Sequence, residues 1–591
     1  SAVKVPNSPL PKASSSTSSN KQKSSKKRKQ VGQPSPKRKI KAGEKKTKNT
    51  TPPKVRQAVN SQSEPAKQGK DGGSKSKTKK KGSTMVIRNL ENGAEFRFPN
   101  VVQFRFSKKC EALVMTTSGV SPDDDGVAVF QFASQKLFRP ISGRGNYGLP
   151  VFSEDAMTIA FLSDRDDFEH HKPSWSMYLA GSFSKKSEMI IDSQTIGMPE
   201  DWWVASSFTP KFTEDGRRLI LGTSPIPEDR DKKVQEDPAE ESKAKLDLWH
   251  WQDPFLQPQQ LLRVAQERNR SYTAIFDLTK KKFIQLATRQ IPSVTVDPRS
   301  PADMAVGISP EKYNKMRSWD LPGFSDSFLI DLKTGGVRTL LEKSRGTPGL
   351  SPTGKFVTWW DGEQKTWFAK STTKQRNNQK TSPINLGLRI KYPLFNELHD
   401  TPSSPPPYGI AGWLEGDQSL LLYDRWDIWS VDPTGKTKAV CLTKGEGRAQ
   451  KIRFRRLRLD LEQRSIPSDA KLMVSALDDR TKASGFYHLQ MGSSPAFRRL
   501  VMLDERLSGL KKARNSDVVF FTRSTFETSP DIWSSNLTFN EINRISRANP
   551  QQHEYLWGTA ELTTWKASDG QVLQGILYKP ENFDATKKYP M

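Results

Sequence analysis

Residues 210–224 read PKFTEDGRRLILGTS: a Phe, a Thr, the polar pair Glu-Asp, a Gly, and then the apolar run Leu219, Ile220, Leu221. An Asp-Gly pair between two short apolar stretches is a hairpin signal, because Gly takes the left-handed backbone position that tight turns need. The same order recurs along the chain. It stands as FRFSKKCEALVMTTS at 104–118, PVFSEDAMTIAFLSD at 150–164, PGLSPTGKFVTWWD at 348–361 and AGWLEGDQSLLLYD at 411–424. Weaker copies are SVTVDPRSPADMAVGIS at 293–309, IPSDAKLMVSALD at 466–478 and ARNSDVVFFTRS at 513–524. A second strand-turn-strand follows several of them, as in FLIDLKTGGVRTLL at 328–341, DIWSVDPTGKTKAVCLT at 427–443 and DIWSSNLTFNEINRIS at 531–546. Each unit therefore reads as four short antiparallel strands. Units of roughly 40 to 60 residues built this way are the signature of a β-propeller, whose blades bury their faces against one another. The fold expected is all-β, with about seven to eight four-stranded blades.

Around this body the composition changes. Residues 1–82 hold 24 Lys and Arg against Glu44, Glu64 and Asp71, so most of the net charge of +29 lies there and the body is nearly ordinary. Segment 1–83, rich in Lys, Ser and Pro, is expected to be a disordered linker, since it cannot bury enough to fold. It holds no aromatic residue, the first in the chain being Phe96, so the stacking contacts of single-strand binding are missing and nucleic acid is not expected as a partner. The propeller is assigned to 84–556 and a further, incomplete unit to 557–591. No apolar run is long enough to span a membrane, and no leader of the secretory type is visible ahead of the body. Cys110 and Cys441 stand far apart without a CxxC pattern and are expected to be two buried thiols. The charged stretch 225–245 reads as a surface loop within a blade; LDLWHWQDPFLQPQQ after it reads as a strand, an aromatic-proline turn and a short helix.

Catalytic motifs are absent from this chain. A nucleophile elbow needs small residues flanking the Ser as Gly-x-Ser-x-Gly, and no such pentapeptide occurs. Ser351 in GLSPTG has the wrong spacing and is expected to be a turn former. His170 and His171 follow Asp166 and Asp167 and are placed on an inter-blade loop; His553 in HEYLW lacks the second His of a zinc-binding helix. His250, His399 and His488 stand alone. No catalytic, cofactor-binding or metal-binding residue is therefore assigned.

The stretch 549–591, NPQQHEYLWGTAELTTWKASDGQVLQGILYKPENFDATKKYPM, resembles the joint in prolyl oligopeptidase family serine peptidases where the propeller hands over to the first strands of an α/β-hydrolase domain. VDPTG at 431–435, RSTFETSPDIW at 523–533 and LDLWHWQDPFLQPQQ at 246–260 extend the resemblance, the last being similar to a stretch of large bacterial members called dipeptidyl aminopeptidase or acylaminoacyl-peptidase. The resemblance implies an oligopeptide-hydrolysing serine peptidase, periplasmic or extracellular, whose propeller gates access to a Ser-His-Asp triad expected beyond Met591. It also implies that a Lys-rich insertion precedes a first-blade strand such as MVIRNLENGAEFRFPNV at 85–101. The paired-glutamate motif of the dipeptidyl-peptidase-IV branch, Asp-Trp-x-Tyr-Glu-Glu, is not present; DWWVASS at 201–207 shares its first two residues only. Leu573, Ile576 and Leu577 are expected in a strand of the hydrolase sheet.

Overall fold

The computed structural model describes residues 79–228, 230, 248–373, 382–492 and 495–590. The expected disorder of the basic segment up to residue 78, and most of the charged loop 225–245, lie outside the described residues. Among the described residues the strands form eight consecutive antiparallel sheets and one separate two-stranded hairpin. The sheets are blade 1 (83–142), blade 2 (151–191), blade 3 (202–285), blade 4 (293–344), blade 5 (349–385), blade 6 (410–441), blade 7 (452–503) and blade 8 (506–544). Their four strands are called a to d in chain order. Two blades carry a fifth strand: in blade 1 Ser83–Arg88 pairs with the first half of Glu95–Phe106, and in blade 3 Trp202–Val204 precedes strand a, Lys211–Phe212, and pairs with strand b, Arg218–Pro225. Every repeat copy read from the sequence falls on an a-b hairpin, and the three second half-units fall on c-d hairpins. The protein is an all-β propeller.

The cores lie between the sheets, and strand pleating assigns residues to them. In strand b of blade 3, Leu219 and Leu221 pack toward blade 2 with Leu162 and Met177, whereas Ile220 packs toward blade 4 with Ala305 and Ile330. In strand b of blade 7, Leu472 and Val474 join blade 6, while Met473 joins Val519 and Phe521 of blade 8. A strand covered on both faces buries successive residues, so period-two alternation disappears and LLLY at 420–423 is buried throughout. Each fully buried Leu or Ile contributes about 1.5 to 3 kcal/mol. The d strands are more open: Ala496–Leu503 has no fully buried residue.

Because neighbouring strands run in opposite directions, the a-b and c-d loops emerge on one side of the blades. The b-c loops and the links to the next blade emerge on the other. Gly216 and Gly354 in a-b turns take φ of 67° and 76°, the left-handed backbone conformation that tight turns need.

Four expectations are corrected. Cys110 is exposed on a turn with φ 57° and Cys441 is half-buried; both are free thiols, but neither is a core residue. His170 and His171 lie on the b-c loop inside blade 2, not between blades. Residues 248–252 form no strand, since strand b of blade 3 is already paired on one side with Trp202–Val204 and Lys211–Phe212 and on the other with Tyr272–Asp277. The short helix is instead a regular one, α1, Gln257–Arg268.

Candidate functional site

On the a-b side the loop of blade 7, residues 457–470, reaches across to other blades. Arg464 donates to the carbonyls of Pro352 (2.8 Å) and Arg299 (3.2 Å) and pairs with Asp297 at 3.0 Å, which ties it to blades 4 and 5. Arg299 donates back to the Leu461 carbonyl at 3.3 Å. Ile466 exchanges main-chain hydrogen bonds with Trp413 and Glu415 of blade 6, and Glu462 pairs with Arg514 of blade 8 at 3.4 Å. Lys108 of blade 1 pairs with Glu154 of blade 2; that hydrogen bond raises its pKa, and the fields of Glu462 and Glu214 act in the same direction. The contacts of Arg464, Ile466 and Glu462 bring the a-b loops of blades 4, 5, 6 and 8 together around the 457–470 loop.

The same side holds the serine considered in the sequence. Ser351 is fully buried; its Oγ donates to Asp417 of blade 6 at 2.5 Å and accepts from the Phe356 N–H at 3.0 Å. The bond from Phe356 closes the local turn, as expected of a turn former, whereas the bond to Asp417 joins blade 5 to blade 6. Asp417 also accepts from Thr353 Oγ1 (2.5 Å) and from the N–H groups of Thr353 (3.2 Å) and Lys355 (3.3 Å). His399 Nε2 lies 3.1 Å from Ser403 Oγ and 3.0 Å from Thr401 Oγ1, within a single exposed turn. None of its hydrogen bonds goes to an orienting carboxylate. The acids beside His170 are occupied: Asp166 accepts from Tyr178, and Asp167 accepts from the Ser174 N–H (2.6 Å) and pairs with Arg230 (2.7 Å). Burial first, then Asp166, pushes the Tyr178 hydroxyl pKa far up. His488 lies in strand c of blade 7, and burial lowers its pKa. Among the described residues no group of three His, Cys, Asp or Glu could hold a metal ion.

The b-c side is different in character. The chain leaves blade 8 there, tethered by Asp531, which accepts from Ser546 Oγ (2.7 Å) and the Ala548 N–H (2.8 Å) and pairs with Arg544. The Ser546 and Ala548 hydrogen bonds, aided by Arg544, hold its carboxyl down to about 2. A hairpin follows, Thr559–Lys566 paired with Val572–Lys579, and neither strand pairs with any other described strand. It rests on the b-c loops of blades 7 and 8: Gln574 bonds Arg480 O (3.2 Å) and accepts from Lys482 (3.0 Å), Trp557 Nε1 donates to Phe526 O (2.8 Å), and the Tyr578 ring lies 5.0 Å from Phe526. Its apolar side chains remain open, Val572 at 66% and Ile576 at 58% exposure. The b-c loops of blades 3 and 4 present Trp251 and Trp319, also exposed, with Lys315 stacked over Trp251 at 5.2 Å. Helix α1 adds exposed Leu261 and Leu262.

No family model matches the chain, and no curated protein does. Among solved structures, it is similar to Porphyromonas gingivalis dipeptidyl peptidase 4, at 10% identity and a TM-score of 0.40, covering 82% of this chain and 66% of that one. It is similar to Pyrococcus horikoshii acylaminoacyl peptidase at 13% identity and a TM-score of 0.26, covering 80% and 56% of the two chains. The β-propeller domain of the trilobed protease from Pyrococcus furiosus matches at 10% identity and a TM-score of 0.25, covering 76% of this chain and 96% of that domain. The chain thus spans about two thirds or less of the length of the two peptidases.

Proposed function

We propose that this chain is the substrate-gating propeller region of a serine-type oligopeptidase that hydrolyses small or unfolded peptides outside the cytoplasm, in the periplasm or extracellularly. In this reading residues 1–83 are a linker, 84–556 the propeller, and 557–591 the start of an α/β-hydrolase domain that carries the Ser, His and Asp. The observation that carries it is the hairpin 559–579: it stands apart from the eight sheets, on the side where the chain leaves blade 8, with its apolar side chains uncovered. A strand pair of this kind is completed by further strands and a core. The 457–470 loop supplies the gate, because a peptide entering along the ring axis from the a-b side must pass it.

Catalysis in such an enzyme follows from roles that none of the described residues fills: His takes the proton from Ser Oγ as it attacks the scissile carbonyl, Asp orients the imidazole, and main-chain N–H groups hold the oxyanion. Residues 1–591 should accordingly leave peptide esters intact and take no label from a fluorophosphonate probe. The same chain extended through the sequence that follows Met591 should label at one serine. Stoichiometric labelling of any serine within 1–591 would refute the assignment. A second reading, a non-enzymatic propeller binding a protein partner, is favoured by exposed Trp251 and Trp319 on the b-c side; an extended chain that never labels would select it.

A further inference from the structure

A cavity of about 100 Å³ opens on the b-c side between blades 6 and 7. Trp426, on the b-c loop of blade 6, and Leu477, near the end of strand b of blade 7, form two of its walls; Tyr408 and Leu398, from the link between blades 5 and 6, form the others. Arg425 and Arg453 line it directly, and the one carboxylate among its lining residues is Asp479. Arg425 pairs with Asp479 and donates to it at 3.5 Å, and Lys482 pairs with the same carboxylate at 3.5 Å. No ion pair engages Arg453 among the described residues, although its side chain is exposed on strand a.

A third guanidinium stands behind these two. Arg455 donates to the carbonyls of Phe454 (2.7 Å), Arg425 (3.2 Å) and Asp424 (3.3 Å), and its cation lies over the ring of Tyr423 at 4.6 Å. Burial pushes its pKa down, and the Arg453 charge adds to that. Asp424 offsets part of the Arg455 charge but does not line the cavity: it is fully buried, and its carboxylate accepts from the N–H groups of Trp426 and Asp427, both at 2.6 Å, from Trp429 Nε1 at 3.1 Å and from Arg448 at 3.5 Å. A half-buried cation whose hydrogen bonds go to carbonyls adds to the positive potential of the space in front of it. The cavity therefore joins an excess of guanidinium charge to aromatic and aliphatic walls.

We infer that this pocket binds the carboxylate of a peptide, with Arg453 and Arg425 gripping the oxygens and the adjoining apolar side chain resting on Trp426 and Tyr408. Guanidinium forks match a carboxylate in geometry and give charge-assisted bonds to both oxygens. The pocket opens on the side that carries the hairpin 559–579, so a peptide held here by its acidic end would lie toward the domain proposed above. The choice of a peptide as the source of the carboxylate rests on that proposal; the anion chemistry does not.

The test uses residues 1–591 and N-acetyl-Gly-Phe as the free acid and as the amide, titrated calorimetrically at physiological salt, with inorganic phosphate as a third arm. The acid should bind at millimolar concentration or better and the amide at least tenfold more weakly. Arg453→Gln and, separately, Arg425→Gln should weaken the acid about tenfold, leave the amide unchanged and leave the melting curve in place. Equal binding of acid and amide, no binding of the acid, or wild-type affinity in both variants overturns the inference. Phosphate that binds more tightly than the acid and displaces it makes this a phosphate site and overturns the carboxylate assignment. Catalysis plays no part in these readouts, so an extended chain that failed to label with fluorophosphonate would leave them standing.

Discussion

Asp417 holds a left-handed backbone conformation, φ 62°, at 2% exposure, and from blade 6 it gathers two hydroxyls and two main-chain N–H groups of the Ser351 turn in blade 5. Removing a buried charged acceptor leaves its donors unsatisfied, so Asp417→Ala should lower unfolding stability by about 1 to 3 kcal/mol, with Ser351→Ala costing less because three of the four bonds to Asp417 survive. Urea unfolding of the two variants checks the order. Asp531 predicts a pH effect. Its folded carboxyl sits near 2, below the ordinary value of 3.8, so its contribution is present above that ordinary value and lost as pH falls toward about 2. The urea midpoint should fall between about pH 4 and pH 2, and Asp531→Asn should show a shallower fall in that window. Ser351 as a turn former was legible because Ser-Pro-Thr-Gly carries turn chemistry locally. Its carboxylate partner was not, being 66 positions away in a turn of another blade. The Arg453 pocket was hidden for the same reason: the link between blades 5 and 6, the b-c loop of blade 6 and the end of strand b of blade 7 meet only once blades 6 and 7 pack together.

At the scale of the element, the a-b hairpin was the legible unit, since its turn residues and apolar run are contiguous. The stretch LDLWHW misled because it is rich in apolar and aromatic residues, yet such a run makes a strand only where a neighbouring edge is free. Strand Arg218–Pro225 has none to offer, being paired along both sides. The hairpin 559–579 has the opposite condition, strands with free edges and apolar side chains still in water. Its amides from about Thr563 to Tyr578 should therefore exchange faster than those of Leu219–Leu221 and Leu420–Leu422, which are buried to 3% exposure or less. Hydrogen exchange on a verified monomer decides it; slow exchange across Val572–Lys579 would show that the hairpin is already held by a core. Cutting into the protected strands should be costly. Leu421→Ala, at 0% exposure between blades 6 and 7, should lose about 2 to 5 kcal/mol.

At the scale of the whole molecule, a propeller resembles a repeat array bent round on itself: each blade buries apolar surface against its neighbours only, and such arrays lose cooperativity when nearest-neighbour contacts alone hold them. The 457–470 loop adds contacts of another kind. Through Arg464, Ile466 and Glu462 it links blade 7 to blades 4, 5, 6 and 8 at once. Opening blade 7 therefore breaks bonds in distant blades, which couples their unfolding. The sequence did not announce this role, since RLDLEQRS has neither the repeat pattern nor a motif, and Arg464 draws its meaning from partners at 297, 299 and 352. Replacing residues 460–464 by a short Gly-Ser bridge should spare every inter-blade core yet remove the ties made by Arg464 and Glu462, while Ile466 keeps its main-chain bonds to blade 6. Urea unfolding followed by both near-ultraviolet and far-ultraviolet circular dichroism should then lose coincidence, with a lower slope at the first transition, whereas the intact chain keeps the two probes together. If the two probes remain coincident and the slope is unchanged, the loop's contacts do not couple the blades.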